Sequence, residues 1–399
     1  MRVLVIHNRY QFAGGEDTVF AAEIALLRQA GHIVEPLEFS NDDIAGAARA
    51  ARAAMLGLYN PASRRRVAQA IAAFRPDVAH VHNFFPTASP SVFHATDAAG
   101  VPVVWTLHNF RVTCANGLLL RDGRVCENCL GRSGMSGIVH RCYRGSLPGS
   151  IAATAIHRGH ALLGTWTRRV DRFIALNDFA RRKFVRAGLP AERLEVKPNF
   201  IPDPDLHNRP LARSGAVFVG RLSVEKGADT LIKAWRSVGT PLTIIGEGPE
   251  ESRLRGIAGP DVRFAGKLSR AEVIQAMAEA ALVIVPSRWY ENFPMTVVEA
   301  FAVGTPVLAS RIGALAEIVR DGEDGLHFAA GDADDLAAAA VNAFASPGML
   351  ALLGRGARAT YERDLTPERN LALLEGIYRH VIQDRSSRPP GVRLARIGQ

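Results

Sequence analysis

The 399-residue chain holds no apolar run that approaches the roughly 18 to 20 residues of a membrane span. Its N-terminus sets Arg2 before a short apolar stretch, with no long apolar region and no cleavage site. No signal peptide is therefore expected, and a cytoplasmic location is. Aromatic residues make up only 7% of the chain and do not interleave with its basic residues. Nucleic acid is thus not an expected partner. The first strand pattern ends in His7-Asn8-Arg9 and lacks a G-x-G-x-x-G loop, which argues against a nicotinamide-dependent dehydrogenase. No Asp-x-Asp of the kind that would hold a divalent ion with a nucleotide is apparent. Cysteine is scarce: the four residues, Cys114, Cys126, Cys129 and Cys142, share one window. Their spacing, Cys-x11-Cys-x2-Cys-x12-Cys, reads as a structural zinc site or as disulfides, and a cytoplasmic setting disfavours the second.

What is present describes an ordinary globular protein with 48% apolar and 22% charged residues, long enough for two domains. The net charge of +9 is uneven. Residues 1–210 hold 26 Lys plus Arg against 17 Asp plus Glu, and residues 211–399 hold 22 against 22. A basic first half suits an anionic membrane surface or a phosphate-bearing acceptor, or it reflects solvated helix faces alone.

Apolar strands alternate with helical patterns: 2–7, a helix near 16–30, 32–39, 77–82, 101–108 and 172–176, with the pattern resuming at Ala216. Such alternation predicts parallel sheets with helices on both faces. Pro198, Pro202, Pro204 and Pro210 crowd a polar stretch that reads as the linker. Two doubly wound domains joined there would face each other across a cleft at their strand C-terminal ends.

The most informative stretch runs from Glu291 through Asn292, Phe293 and Pro294 to Glu299. It follows an apolar run, 282–286, that reads as a buried strand. Pro294 suits the first position of a helix and Gly304 its end. Glu291 then lies in the strand-to-helix loop and Glu299 within the helix, with free backbone N–H groups between them for an anion. A ligand with a phosphate in the middle and hydroxyls at both ends fits that arrangement, and a nucleotide-sugar is one. Upstream, Arg221 and Lys226 place two cations after the strand at 216–220, where a diphosphate would lie.

GRLSVEKG (220–227), GEGP (246–249), ENFPMTVVEA (291–300) and GTPV (304–307) occur in this order. With Gly14-Gly15, RPDVAHVHNFFP (75–86), VVWTLHNFR (103–111) and VKPNFI (196–201), the chain resembles the family 4 (group 1) retaining glycosyltransferases of GT-B fold over about residues 1–380. The resemblance implies an α/β GT-B architecture. Residues 1–205 would form an acceptor-binding Rossmann-like domain, joined by a C-terminal helix at about 366–384 that crosses back. Residues 211–365 would form the nucleotide-sugar domain, and 386–399 a disordered tail. It implies transfer of a sugar from a UDP- or GDP-sugar to a glycan or lipid-linked acceptor in cell-surface polysaccharide or glycolipid synthesis. No cofactor is required for that chemistry, and the place of work is cytoplasmic or peripheral at the inner face of the membrane. A non-catalytic nucleotide-sugar or glycan binder on the same fold is the alternative.

For the residues, the resemblance gives Glu291 the hydroxyls of the transferred sugar and Glu299 the ribose. Arg221 and Lys226 take the diphosphate, with Asn292, Phe293, Pro294, Gly14 and Gly15 alongside the donor. His108 lies beside the reacting face of the sugar. His82, Asn109 and Asn177 are expected to line the cleft or touch the acceptor.

Overall fold

The computed structural model describes residues 1–11, 14–42, 46–206 and 212–387. It divides into two compact units, one of residues 1–119, 127–197 and 371–399, the other of residues 120–126 and 198–370. After the short excursion at 120–126, the chain passes to unit two between Lys197 and Pro198, at the start of the proline-crowded stretch, of which Pro210 lies outside the described residues. The tail expected over 386–399 is described only as far as residue 387.

Unit one is built on six parallel strands: β1 (Arg2–Arg9), β2 (Ile33–Ser40), β3 (Val78–Val81), β4 (Val103–Thr106), β5 (Arg172–Ala175) and β6 (Leu194–Val196). Their spatial order is β2-β1-β3-β4-β5-β6. Strands β3 and β4 are buried along their whole length, which explains their largely apolar character; His80 and Thr106 are the polar exceptions. The helices that matter for the site are α1 (Gly15–Gln29), α2 (Ala47–Leu58), α3 (Met135–Val139), α4 (Leu147–Leu162) and α5 (Asp178–Arg186). A short antiparallel hairpin, Leu120–Arg121 with Arg124–Val125, groups with unit two.

Unit two repeats the design with β7 (Ala216–Val219), β8 (Leu242–Ile245), β9 (Val262–Gly266), β10 (Leu282–Val285), β11 (Val307–Ser310) and β12 (Gly325–Phe328). They pair in parallel in the order β9-β8-β7-β10-β11-β12. Chain order therefore reverses between β7 and β10, as it does between β1 and β3 in unit one. In open α/β sheets such switch points open a crevice at the strand C-terminal ends, and ligands bind there. The loop after β7 carries residues 220–227 and the loop after β10 carries residues 286–294, so both charged motifs flank the switch point.

One apolar layer on unit two's sheet includes Val283, Val297, Val298, Phe301 and Tyr361. Another includes Phe218, Leu231, Trp235, Leu282 and Phe328. They hold the helices α6 (Ala228–Trp235) and α7 (Met295–Ala302) on the sheet. Gly304, with φ of +68°, follows α7 in the left-handed turn that ends it. The last helix, α8 (Pro367–Ser386), turns Leu374, Ile377, Tyr378 and Val381 into the core of unit one beside Val3, Val5 and Val78. Their spacing of three and four residues is that of one helix face.

Candidate active site

Glycine makes the geometry at the β7–β10 switch point possible. Gly227 has φ of +70°, and a Cβ there would lie 2.0 Å from the carbonyl oxygen of Pro286. A Cβ on Gly246, φ +133°, would lie 2.0 Å from the carbonyl oxygen of Gly220. The loops after β7, β8 and β10 thus touch through backbone where no side chain fits.

That contact brings Lys226 to Glu291. Lys226 Nζ donates to Glu291 Oε1 at 2.6 Å, and Ser287 Oγ donates to the same oxygen at 2.7 Å. The Lys226 ammonium also lies 5.7 Å from the ring centre of Trp289. Glu291 is buried at 5% exposure, whereas Arg221 is exposed. Pro294 is the residue before α7 and Met295 its first helical position, one residue later than the sequence suggests. No side chain caps this end, so the first backbone N–H groups of α7 lack a cap acceptor. Asn292 and Phe293 are half-buried, and Phe293 packs on the core. Thr296 Oγ1 donates to Val219 O at 3.5 Å, tying α7 to the end of β7.

Glu299 lies one turn into α7, half-buried, with Arg270 3.8 Å away. Burial pushes its carboxyl above the usual range, and the Arg270 charge opposes that rise. A groove of about 530 Å³ lies elsewhere on unit two. Its Arg213 is bound to Thr305 and Val303 and its Arg358 to Asp203 and Ala302, so it offers no cation pair like that of the switch point.

In unit one, Gly14 precedes α1 and Gly15 opens it, both with open space where a Cβ would stand. Asp17 accepts the Gly14 N–H at 2.7 Å and contacts His7 Nε2 at 2.8 Å. His108 Nε2 lies 3.0 Å from His82 Nδ1. His82 is only 2% exposed, and it lines a small pocket together with His108 and Asn109. Burial first, and then His82, hold the pKa of His108 well below the usual imidazole value. Asn109 donates to Glu16 Oε1 at 2.8 Å and accepts from the Arg111 N–H at 3.0 Å. Asn177 is 7% exposed, and its Oδ1 caps α5 by accepting from Ala180 N at 2.7 Å. That bond is the ordinary helix cap of an Asn at this position.

The cysteines do not assemble. A zinc held by thiolates keeps its sulfurs about 3.8 Å apart. Among the described residues, no three donors within 4.8 Å of one another include a cysteine; the group that meets this test is Glu23, His80 and His82. Cys114 Sγ instead donates to Asn116 Oδ1 at 2.9 Å, and Cys129 Sγ lies 3.9 Å from Gly134 O. The residues present do not fit the expected structural zinc.

Sequence reasoning missed Ser287, Trp289 and Arg270. Ser287 could have been found, because it directly follows a fully buried strand and precedes Glu291 by four residues. Arg270 reaches Glu299 from a different helix, and no local signal points to it.

A family model for "Glycosyl transferases group 1" matches residues 213–346, and one for a "Glycosyl transferase 4-like domain" matches residues 14–199. The chain belongs to the group 1 glycosyltransferases. Among relatives of this glycosyltransferase, a phosphatidyl-myo-inositol mannosyltransferase of Mycobacterium leprae is 34% identical over 194 residues, covering 45% of this chain and 51% of that one. A glycogen synthase of Mycobacterium tuberculosis is 31% identical over 255 residues, 57% of this chain and 58% of that one. The chain thus spans a little over half the length of these curated relatives. The crystal structure of Anabaena HepE in complex with UDP superposes with a TM-score of 0.68 at 20% identity, covering 95% of this chain and 100% of that one. The fold of this glycosyltransferase is accordingly GT-B, with two six-stranded parallel sheets and flanking helices.

Proposed function

We propose that this chain is a retaining glycosyltransferase that moves a sugar from a UDP- or GDP-sugar to a glycan or lipid-linked acceptor. The observation that carries the reading is the Lys226–Glu291 pair, held by Ser287 at the switch point beside the uncapped start of α7. In this reading unit two binds the donor. Lys226 and Arg221 neutralise the diphosphate, and the N–H groups at the start of α7 hold a phosphate oxygen. Glu291 orients the hydroxyls of the sugar, and Glu299 accepts from the ribose hydroxyls. Gly14 and Gly15 leave room for the ligand to approach the backbone of unit one.

The bond from the sugar's anomeric carbon to the diphosphate oxygen breaks, and an acceptor oxygen attacks from the same face. The acceptor proton passes to the departing diphosphate, so no side chain is needed as a base. The protein supplies position and charge stabilisation of the leaving oxyanion. The fixed cations supply what a divalent ion supplies elsewhere, so transfer is metal-independent.

The relative named for phosphatidyl-myo-inositol supports a lipid-linked acceptor, and the UDP complex of the Anabaena neighbour supports a nucleotide donor. Unit one carries a surface suited to an anionic membrane. Met55 on α2, Val139 on α3 and Leu162 on α4 are exposed, α4 packs on both α2 and α3, and Arg49, Arg52, Arg141 and Arg144 are exposed on or near these elements. We place the protein in the cytoplasm, peripheral at the inner membrane face. Among the described residues no single helix is long and apolar enough to cross a membrane.

Transfer assays with matched UDP- and GDP-sugars test this reading, with product stereochemistry read by NMR. Glu291→Ala and Lys226→Ala are expected to abolish transfer in a folded protein. Full activity in either variant, or an inverted product, overturns it.

A further inference from the structure

His108 is the outermost member of a line of side chains in unit one. His82 Nδ1 lies 3.0 Å from its Nε2, and His82 Nε2 lies 3.3 Å from Glu23 Oε2. Glu23 Oε1 in turn accepts from the Lys197 ammonium at 2.5 Å. His82, Glu23 and Lys197 are each no more than 2% exposed. Glu23 belongs to α1, 174 residues before Lys197, the last residue of unit one before the crossing.

The donor group Glu23, His80 and His82 invites a metal, but the ammonium of Lys197 already sits on Glu23 and both nitrogens of His80 are engaged. His80 binds Tyr378 OH through Nδ1 and Thr106 Oγ1 through Nε2, each at 2.7 Å. The line therefore orders protons, and its ends fix their direction. Burial raises the Glu23 carboxyl, yet the Lys197 charge and the His82 contact outweigh it and hold the group well below the usual range. An ionised Glu23 only accepts. Its Oε2 and His82 Nε2 lie 3.3 Å apart, and neither has a hydrogen-bond partner among the described residues, so a proton on His82 Nε2 is the one that would satisfy both. His82 Nε2 faces that acceptor, so the geometry favours a hydrogen on Nε2 toward Glu23. His82 Nδ1 then accepts, and His108 must donate from Nε2.

We propose that Glu23 and His82 are positioning residues that lock His108 as its Nε2–H tautomer, leaving Nδ1 bare to accept a hydrogen bond from a substrate hydroxyl. The identity of that hydroxyl rests on the glycosyl-transfer reading; the tautomer does not.

Two measurements keep these apart. In the full chain labelled with 15N-histidine, long-range 1H–15N correlation near pH 8 reports which nitrogen of each ring holds the proton. His108→Gln assigns the signal by its loss. We expect His108 and His82 both protonated on Nε2; a His108 protonated on Nδ1 overturns the proposal, whatever the protein catalyses. Next, His82→Phe keeps a ring and deletes both nitrogens, and Glu23→Gln with Lys197→Met deletes both buried charges together. In whichever of these folds, His108 is expected to become a mixture of tautomers. Turnover should fall about 10- to 100-fold, while KM for the donor stays within about twofold. An unchanged tautomer, or a KM-only effect, overturns the positioning role. Correct tautomers with no transfer from any donor would leave the lock standing and remove the glycosyl-transfer reading alone.

Discussion

His157 permits a sharp test of how unit one handles buried imidazoles. Its ring stacks on Phe85 with centroids 5.7 Å apart and an interplanar angle of 27°. It is 3% exposed, and neither ring nitrogen has a protein partner among the described residues. Burial first, and the Arg111 charge second, hold its pKa well below 6.5. In the unfolded chain the same ring titrates near 6.5. As pH falls through that value the unfolded state takes up a proton and the folded state does not. His157 thus contributes stability above pH 6.5 that is lost progressively as pH falls toward its folded pKa. Between pH 7.5 and 5.5 the loss is about 1.4 kcal/mol for one such group. His157→Phe removes this term and keeps the stack on Phe85. It also removes a buried N–H without a partner, so the variant should be no less stable at pH 7.5. Urea unfolding of both proteins at both pH values isolates the effect, because all other groups cancel in the difference of differences. The stability gap should widen by about 1.4 kcal/mol at pH 5.5, equivalent to about 3 to 6 °C in Tm for a unit of this size. Parallel pH dependences would refute the assignment of a neutral, buried His157.

Other expectations follow from named contacts. Lys226→Met with Glu291→Gln should destabilise unit two by less than the sum of the single changes, since each single change strands a partner; strict additivity in a double-mutant cycle would show the 2.6 Å pair to be inert. Gly227→Ala forces a Cβ to 2.0 Å from Pro286 O and a side chain into φ of +70°. It should cost about 2 kcal/mol or more in denaturant unfolding and weaken nucleotide binding, and wild-type stability would contradict the close approach of these loops. Binding to vesicles containing anionic lipid should exceed binding to neutral vesicles and weaken in Met55→Glu with Leu162→Glu; equal binding to both vesicle types would remove the membrane surface.

Much of the candidate site in unit two was legible because its signals are local. The separation of Glu291 and Glu299, Pro294 at the start of a helix and Gly304 after it all follow from helix caps and period, and α7 begins one residue later than they place it. The strands at 216–219 and 282–285 show as short apolar runs because they are buried on both faces. What stayed hidden is non-local. Glu23 reads as an ordinary helix glutamate and Lys197 as part of a hinge, yet they form a buried pair across 174 residues. His80 in β3 and His82 just after it are two residues apart and so share one face, but nothing local shows that both rings are buried around Glu23. Asn177 closes an apolar strand as a site residue would, and its side chain caps the next helix. The cysteine window suggested convergence because sequence proximity is easily read as spatial proximity. Only three-dimensional placement decides that, and among the described residues no group of three metal-type donors within 4.8 Å of one another includes a cysteine.

The most direct test of the central claim is calorimetric titration of UDP- and GDP-sugars into the full chain in EDTA, beside a Lys226→Met, Glu299→Ala double variant. Binding of one nucleotide family without metal, weakened about 10-fold or more in the variant, is the expected result. Absence of binding by either family, or equal affinity in the variant, would contradict a donor site at the β7–β10 switch point.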